Sequence, residues 1–272
     1  MIDAETGNHV WAARYDRAVE AVFAVQDEIT IAVVRAIQPA ISHAERERAI
    51  RKPPESLNAW EAWHRALGSL SRADLPGMRN FLQKAATLDP RFAPAHAMLA
   101  FFHVAEATRG IGSSESSRMA EAEARTAVEL DPRSGTAHAM LAWVYGHQGD
   151  WEPALEEAEV AIALNPNDPW GYLSKGHALA FSGHPSEAQD PLSTALRLDP
   201  FGPTAQAVMH KRMVSCYFQR DYLAAEAMAC RAIREYPGNP RPYLTLAASL
   251  GRLGRTDDAA KLRKQYALPD TG

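Results

Sequence analysis

Apolar positions along the chain recur in blocks that close the same way: ATLDP at Pro90, VELDP at Pro132, IALNP at Pro166, LRLDP at Pro200 and IREYP at Pro237. Successive closing prolines stand 42, 34, 34 and 37 residues apart. Within residues 135–166, Leu141, Ala142 and Tyr145 fall on one helical stripe. Gly149 in HQGDW then breaks the pattern as a turn. Ala154, Ala158 and Ala161 predict a second helix whose small face lets its partner approach closely. Asn165-Pro166 ends it, because proline has no N–H for the ladder and disfavours helix in the residue before it. The next copy repeats the logic with Tyr172, Gly176, Leu179, Gly183, Ala188, Leu192, Ala195 and Pro200. A period of 34 with a closing proline predicts an array of helix–turn–helix units.

About six units are legible. The first runs from Ser56 to Pro90, and the next four end at Pro132, Pro166, Pro200 and Pro237. The sixth starts near Pro240 with Tyr243, Leu246-Ala247, Leu250, Gly254 and Ala259, and decays into ALPDTG. The longer second and fifth units are expected to carry their extra residues between paired helices, as RGIGSSESS (109–117) and near Cys216-Tyr217-Phe218. The first unit, with SRADLPGM between its helices, departs most from the pattern, as a capping repeat does.

The order of residues in the third unit (His138, Leu141-Ala142, Tyr145, Ala154, Ala158, Ala161, Pro166) resembles the tetratricopeptide repeat (TPR) family, over roughly residues 56–266. The resemblance implies an all-α superhelical solenoid whose first helices line a concave groove for protein partners. Carried over by register, the groove positions are Phe101 and Val104 in the second unit, then Trp143 and His147 in the third. The fourth supplies Trp170, Leu173, His177 and Phe181; the fifth His210, Tyr217 and Phe218; the sixth Arg241, Leu244 and Arg252. Aromatic and arginine side chains are common interface anchors. The Lys/Asn clamp that some TPR co-chaperones use for a terminal carboxylate is absent at these positions, so an extended, partly apolar peptide or a partner helix is expected. The alternative for these aromatics is packing between neighbouring units or against the chain's own amino-terminal helix. Because His147, His177 and His210 would share one wall, binding is expected to change below pH ~6.5, where imidazole charges.

Residues 1–52 do not repeat. Ile2 and His9-Val10-Trp11 flank a turn-like Glu5-Thr6-Gly7-Asn8, which predicts two short strands. Val22, Val25, Ile29, Ala32, Val33, Ala36 and Ile37 predict one face of a long helix. The run IDAETGNHVWAARYDRAVEAVFAVQDEIT is similar to the end of the TolB-like segment that precedes TPR arrays in bacterial class III adenylate/guanylate cyclases and regulators. The resemblance implies a carboxy-terminal piece of such a protein, with the catalytic residues lying before Met1. The domains are therefore 1–52, a partial α/β element with its linker, and 53–272, the repeat array.

The chain has 272 residues, 46% of them hydrophobic, and a net charge of −4, which suits a soluble protein and not one living on phosphate contacts. No run approaches the ~18 apolar residues of a membrane helix. Neither a basic start nor an apolar run marks a signal peptide, and two cysteines make no disulfide framework, so a reducing cytoplasm is expected. His96 and His138 recur in register inside AHAMLA, which favours packing over a metal site. Neither HExxH nor zinc-type Cys/His spacing occurs, and Gly110-Ile111-Gly112 lacks the third glycine of a dinucleotide loop. The carboxylates Glu152, Glu156, Glu157 and Glu159 read as a solvated helix face. No cofactor, metal or nucleic-acid partner is expected. The function read from these observations is a non-catalytic interaction or scaffold module, the regulatory tail of a cyclase-type signalling protein. The alternatives are a self-associating structural module, with homo-oligomer formation open, and an enzyme subunit with cyclase activity.

Overall fold

The computed structural model describes residues 57–72, 74–108, 113–200, 202, 204–236, 239 and 241–266. The strands and long helix expected within residues 1–52, and the boundary expected at residue 52, lie outside them. Among the described residues there are twelve α-helices and no strand. They fall into two compact units that divide after Pro90.

The first unit holds one helical pair, α1 (Ala59–Ser71) and α2 (Leu75–Leu88). Asn58 starts α1 with a capping box: its side chain accepts from the Glu61 N–H at 2.9 Å, and the Glu61 carboxylate accepts from the Asn58 N–H at 3.1 Å. Asp74 opens α2 by accepting from the Gly77 N–H at 2.9 Å. Met78, Leu82 and Ala85 are its buried face.

The second unit holds five pairs: α3 (Ala93–Ala107) with α4 (Ser113–Leu130), α5 (Gly135–Gln148) with α6 (Trp151–Leu164), α7 (Pro169–Phe181) with α8 (Gln189–Leu198), α9 (Ala205–Phe218) with α10 (Tyr222–Glu235), and α11 (Arg241–Arg252) with α12 (Thr256–Tyr266). The first helices α3, α5, α7, α9 and α11 each touch the next and form one layer. The second helices α4, α6, α8 and α10 each pack on their own first helix and on the following one. Small residues make this possible. Ala120, Ala124 and Ala127 are buried on α4, and Ala154, Ala158 and Ala161 hold the same spacing on α6. The spacing recurs as Ala188, Leu192 and Ala195 around α8 and as Ala225, Ala229 and Ala232 on α10. Each spacing of four then three residues keeps one narrow stripe toward the partner. His96 and His138 stand on the first helices, and their Nδ1 atoms pair with Glu123 and Glu157 of the second helices at 2.6 Å. Glu157 therefore ties two helices together instead of lying free on a solvated face.

In four of these five pairs the turn is set by one left-handed residue. Gly149, Gly183 and Gly254 have φ of 92°, 96° and 79°. The N–H of the following residue (Asp150, His184, Arg255) donates to a carbonyl five residues back, at Tyr145, Leu179 and Leu250. This is the Schellman closure, and glycine pays no Cβ penalty there. In the fourth pair of this unit Arg220 takes the position, with φ 62° and the same closure from Asp221 N–H to the Cys216 carbonyl at 3.0 Å.

Two expectations about the insertions are corrected. Residues 113–117 are not loop but the first turns of α4, which at 18 residues is the longest described helix. The extra residues of the fifth repeat are not near Cys216–Phe218, which lie inside α9. The helix α9 starts five residues after Pro200, where α5 and α7 start three after Pro132 and Pro166. Proline at these entries cannot be drawn into the ladder, so added residues collect ahead of the helix and leave its length intact. Counted back from the left-handed residue, Lys211 of α9 consequently stands where Met140 stands in α5 and Ser174 in α7.

Candidate functional site

The face of the first helices turned away from the alanine stripes carries most of the expected groove residues, and it brings their rings into one succession. Phe101 of α3 stacks on Trp143 of α5 with centroids 5.9 Å apart and meets Trp170 of α7 edge-on at 5.1 Å. Trp143 lies 5.1 Å from His177 of α7. His147 of α5 stacks on the same His177 at 4.2 Å. His177 continues to Phe181 at 4.8 Å, and Phe181 to Phe218 of α9 at 5.4 Å, nearly perpendicular. Tyr217 stands beside Phe218 and accepts from Arg252 Nε at 3.3 Å. Beside this wall, between α3, α4 and α5, lies a cavity of about 180 Å³ lined by Val104, Thr108, Ser117, Val144 and His147 among others.

Exposure divides the set. Trp143 (5% exposed), His177 (3%), Trp170 and Leu173 are buried within the chain itself. Phe101, His147, Phe181, His210, Tyr217 and Arg241 are half-buried. Phe218 is 45% exposed and Arg252 is exposed. The wall thus has a covered aromatic floor with exposed or half-exposed edges. His210, in the register of Leu173, contributes no ring contact to the succession.

At the centre of the wall sits a residue that the repeat pattern does not mark. Lys211, 6% exposed, places Nζ 5.3 Å from the Trp143 ring centroid and 4.9 Å from that of Phe181. Counting repeats by their prolines hides it. Counting from the turn residue puts it in the buried place of Met140, where a lysine is anomalous. Among the described residues no carboxylate or hydrogen-bond acceptor pairs with its Nζ. Burial and the charge of Arg241 lower its pKa to about 7. Burial, then the Lys211 charge, lowers His147 to about 3. His210 falls to about 3 through burial, Lys211 and Arg241, and the same first two causes push His177 well below 6.5. The expectation of a histidine transition near pH 6.5 is therefore corrected: these imidazoles are too enclosed and too near a cation to charge there, and Lys211 is the group that titrates near neutrality.

Buried polar atoms without hydrogen bonds gather here as well. They include Trp143 Nε1, both ring nitrogens of His177 and Nδ1 of His210. The Gly146 carbonyl beside His177 is poorly aligned with it. His147 Nδ1, by contrast, donates to the Trp143 carbonyl at 2.8 Å. Among the described residues no group of three or more His, Cys, Asp or Glu is placed to hold a metal ion. Cys216 and Cys230 are free thiols. No described helix is long and apolar enough to cross a membrane.

No family model matches the chain. Over 102 residues it is 36% identical to a candidate adenylate cyclase (adenylate cyclase 3) of Rhizobium meliloti (strain 1021), a match spanning 36% of this chain and 17% of that protein. Three solved structures share the architecture at low identity. A thermophilic TPR protein of Thermus thermophilus (TM-score 0.55, 17% identical) covers 71% of this chain and 98% of its own. The type IV pilus biogenesis factor PilW (TM-score 0.53, 23% identical) covers 66% and 79%. Cut9 in the Cut9–Hcn1 hetero-tetramer (TM-score 0.57, 17% identical) covers 86% and 49%. Paired helices, alanine stripes, left-handed turns and these neighbours agree that the chain has the tetratricopeptide-repeat fold.

Proposed function

We propose that this chain is a non-catalytic, cytoplasmic protein-interaction module that takes an extended peptide or a partner helix along its row of first helices. The observation that carries the reading is the unbroken succession of rings from Phe101 through Trp143, His177 and Phe181 to Phe218, which crosses four consecutive first helices. Buried members hold the exposed edges rigid, so little side-chain entropy is lost when a partner docks. In this reading Phe218, Phe181, Phe101 and Arg252, which are exposed or half-buried, are the anchors. A structure of like fold comes from a hetero-tetramer, Cut9–Hcn1, which supports a role in holding other proteins.

Peptides selected from a displayed random library against the full chain test this. Alanine at both Phe181 and Phe218 is expected to weaken them at least tenfold, whereas alanine at the exposed Leu223 of α10 leaves them unchanged. Selected peptides indifferent to Phe181 and Phe218 overturn the reading.

We further read the module as the regulatory tail of a cyclase-type signalling protein, supported by the 102-residue similarity to the Rhizobium meliloti protein. A cyclase or DNA-binding domain encoded in frame upstream of Met1 is expected. Conversion of ATP or GTP to the cyclic nucleotide by the purified chain would overturn the non-catalytic assignment.

A further inference from the structure

The most unusual group in the second unit is Lys211. A buried ammonium is ordinarily paired with a carboxylate or accepted by several oxygens, because an unpaired charge in a low-dielectric site is costly. Lys211 has aromatic faces on two sides, Trp143 at 5.3 Å and Phe181 at 4.9 Å, and among the described residues nothing anionic. The groups that face it from the neighbouring elements are His147 of α5, His177 of α7, and Arg241 of α11, with His210 beside it on α9. All are neutral or positive. The chain as a whole is acidic, with 33 Asp+Glu against 29 Lys+Arg, so the lack of a local counter-charge is a property of this place and not of the composition.

A second observation points the same way. Among the described residues Trp143 Nε1 is a buried donor without an acceptor, and His177 and His210 hold buried ring nitrogens that are equally unpaired. Polar atoms left so in a folded chain call for an explanation, of which an absent ligand is one. An oxyanion supplies acceptors for donors of both kinds, the Trp143 indole N–H and Lys211 Nζ, and it alone among such acceptors also neutralises the ammonium. Met140 and Ser174 show what the same register holds where no charge is needed; both are buried and neither disturbs the fold.

We propose that Lys211, held between Trp143 and Phe181, is an anion acceptor: the carboxylate of an Asp or Glu side chain on the docked peptide pairs with its Nζ. The inference rests on the docking reading above and adds one feature to the partner: an acidic residue flanked by apolar ones. The lowered pKa of Lys211 adds a signature. Above neutrality Lys211 is largely a neutral amine, and a carboxylate beside it favours the ammonium, so docking takes up a proton.

Two amidated probes decide the matter: N-acetyl-Phe-Glu-Phe-amide and the same peptide with Gln in place of Glu. In calorimetry at pH 8 the Glu peptide is expected to bind at least tenfold more tightly than the Gln peptide. It is also expected to take up between about half a proton and one proton, read from buffers of different ionisation heat. K211M, which installs the residue found at position 140, is expected to abolish both the discrimination and the proton uptake. Should K211M fail to fold, the Glu-to-Gln ratio and the proton count in the unaltered chain still decide. Equal binding of the two peptides, absence of proton uptake, or discrimination retained in K211M overturns the anion site. Failure of both peptides to bind overturns it too. Library peptides that still depend on Phe181 and Phe218 would in that case leave the docking reading standing.

Discussion

Gly176 of α7 passes so close to Leu192 of α8 that a Cβ at position 176 would lie 2.5 Å from Leu192 Cγ and 2.6 Å from its Cδ2. Leu192 is fully buried, so it has nowhere to retreat. Gly176→Ala gains about 1 kcal/mol of helix propensity but overpacks a filled core, which costs about 1–3 kcal/mol. A net loss of stability, read as a lower midpoint in urea with an unchanged slope, is the expected outcome. A rise in midpoint would mean that the two helices can separate freely at this point.

Arg220 is the reverse case. Its φ of 62° places a Cβ in the left-handed region that Gly149, Gly183 and Gly254 occupy in other pairs. A non-glycine residue there costs about 1–2 kcal/mol, offset in part by the greater unfolded-chain entropy of glycine. Arg220→Gly is expected to stabilise the chain by about 0.5–1 kcal/mol. Thermal melts of the two proteins, compared at one pH, check the sign.

Lys211 makes stability depend on pH on the alkaline side. Its pKa is about 7 in the fold and near 10.4 in an unfolded chain. Between these values the unfolded state holds the extra proton, so stability rises with pH, at a limiting slope of about 1.4 kcal/mol per unit. Below pH 7 the charge is buried in full. Lys211→Met is therefore expected to be more stable than the unaltered chain at pH 6, with the gap closing steadily toward pH 9. A gap independent of pH would show that Lys211 does not titrate in the fold.

The histidines act on the acid side. For His147 and His210, folded values of about 3 against 6.5 unfolded mean that their stabilising contribution is complete above pH 6.5 and drains away as pH falls toward 3. His177, lowered well below 6.5 by the same burial and cation, behaves alike. His177→Leu removes one of these groups together with two unpaired buried nitrogens. Chemical denaturation between pH 6.5 and 4 is expected to show a shallower loss of stability for the variant, by up to about 1.4 kcal/mol per unit. Parallel curves for the two proteins would contradict the lowered value.

Much of the architecture was legible because the signals that carry it are local. The alanine spacing on α6, the turn at Gly149 and the stop at Pro166 each act within a few residues, and each recurs. The wall was legible in part. Phe101, Trp143, His177, Phe181 and Phe218 were placed on one face from their register, and they do meet. How deeply each would sink was not legible, since Trp143 is covered by residues from α3, α7 and α9, up to roughly seventy positions away in sequence. The fifth repeat misled the count, because its extra residues precede α9 and shift every later position against the proline.

The amino-acid order alone determined that this chain forms helical hairpins, where they turn, and which stripe of each second helix is small enough to lie against its neighbours. Backbone propensity, turn chemistry and helical period are sufficient for that. Tertiary structure alone decided that a lysine would be buried between two aromatic rings with no counter-ion among the described residues, and that three imidazoles would be held neutral beside it. Burial and electric field are sums over groups brought together from four helices, and no single segment contains them.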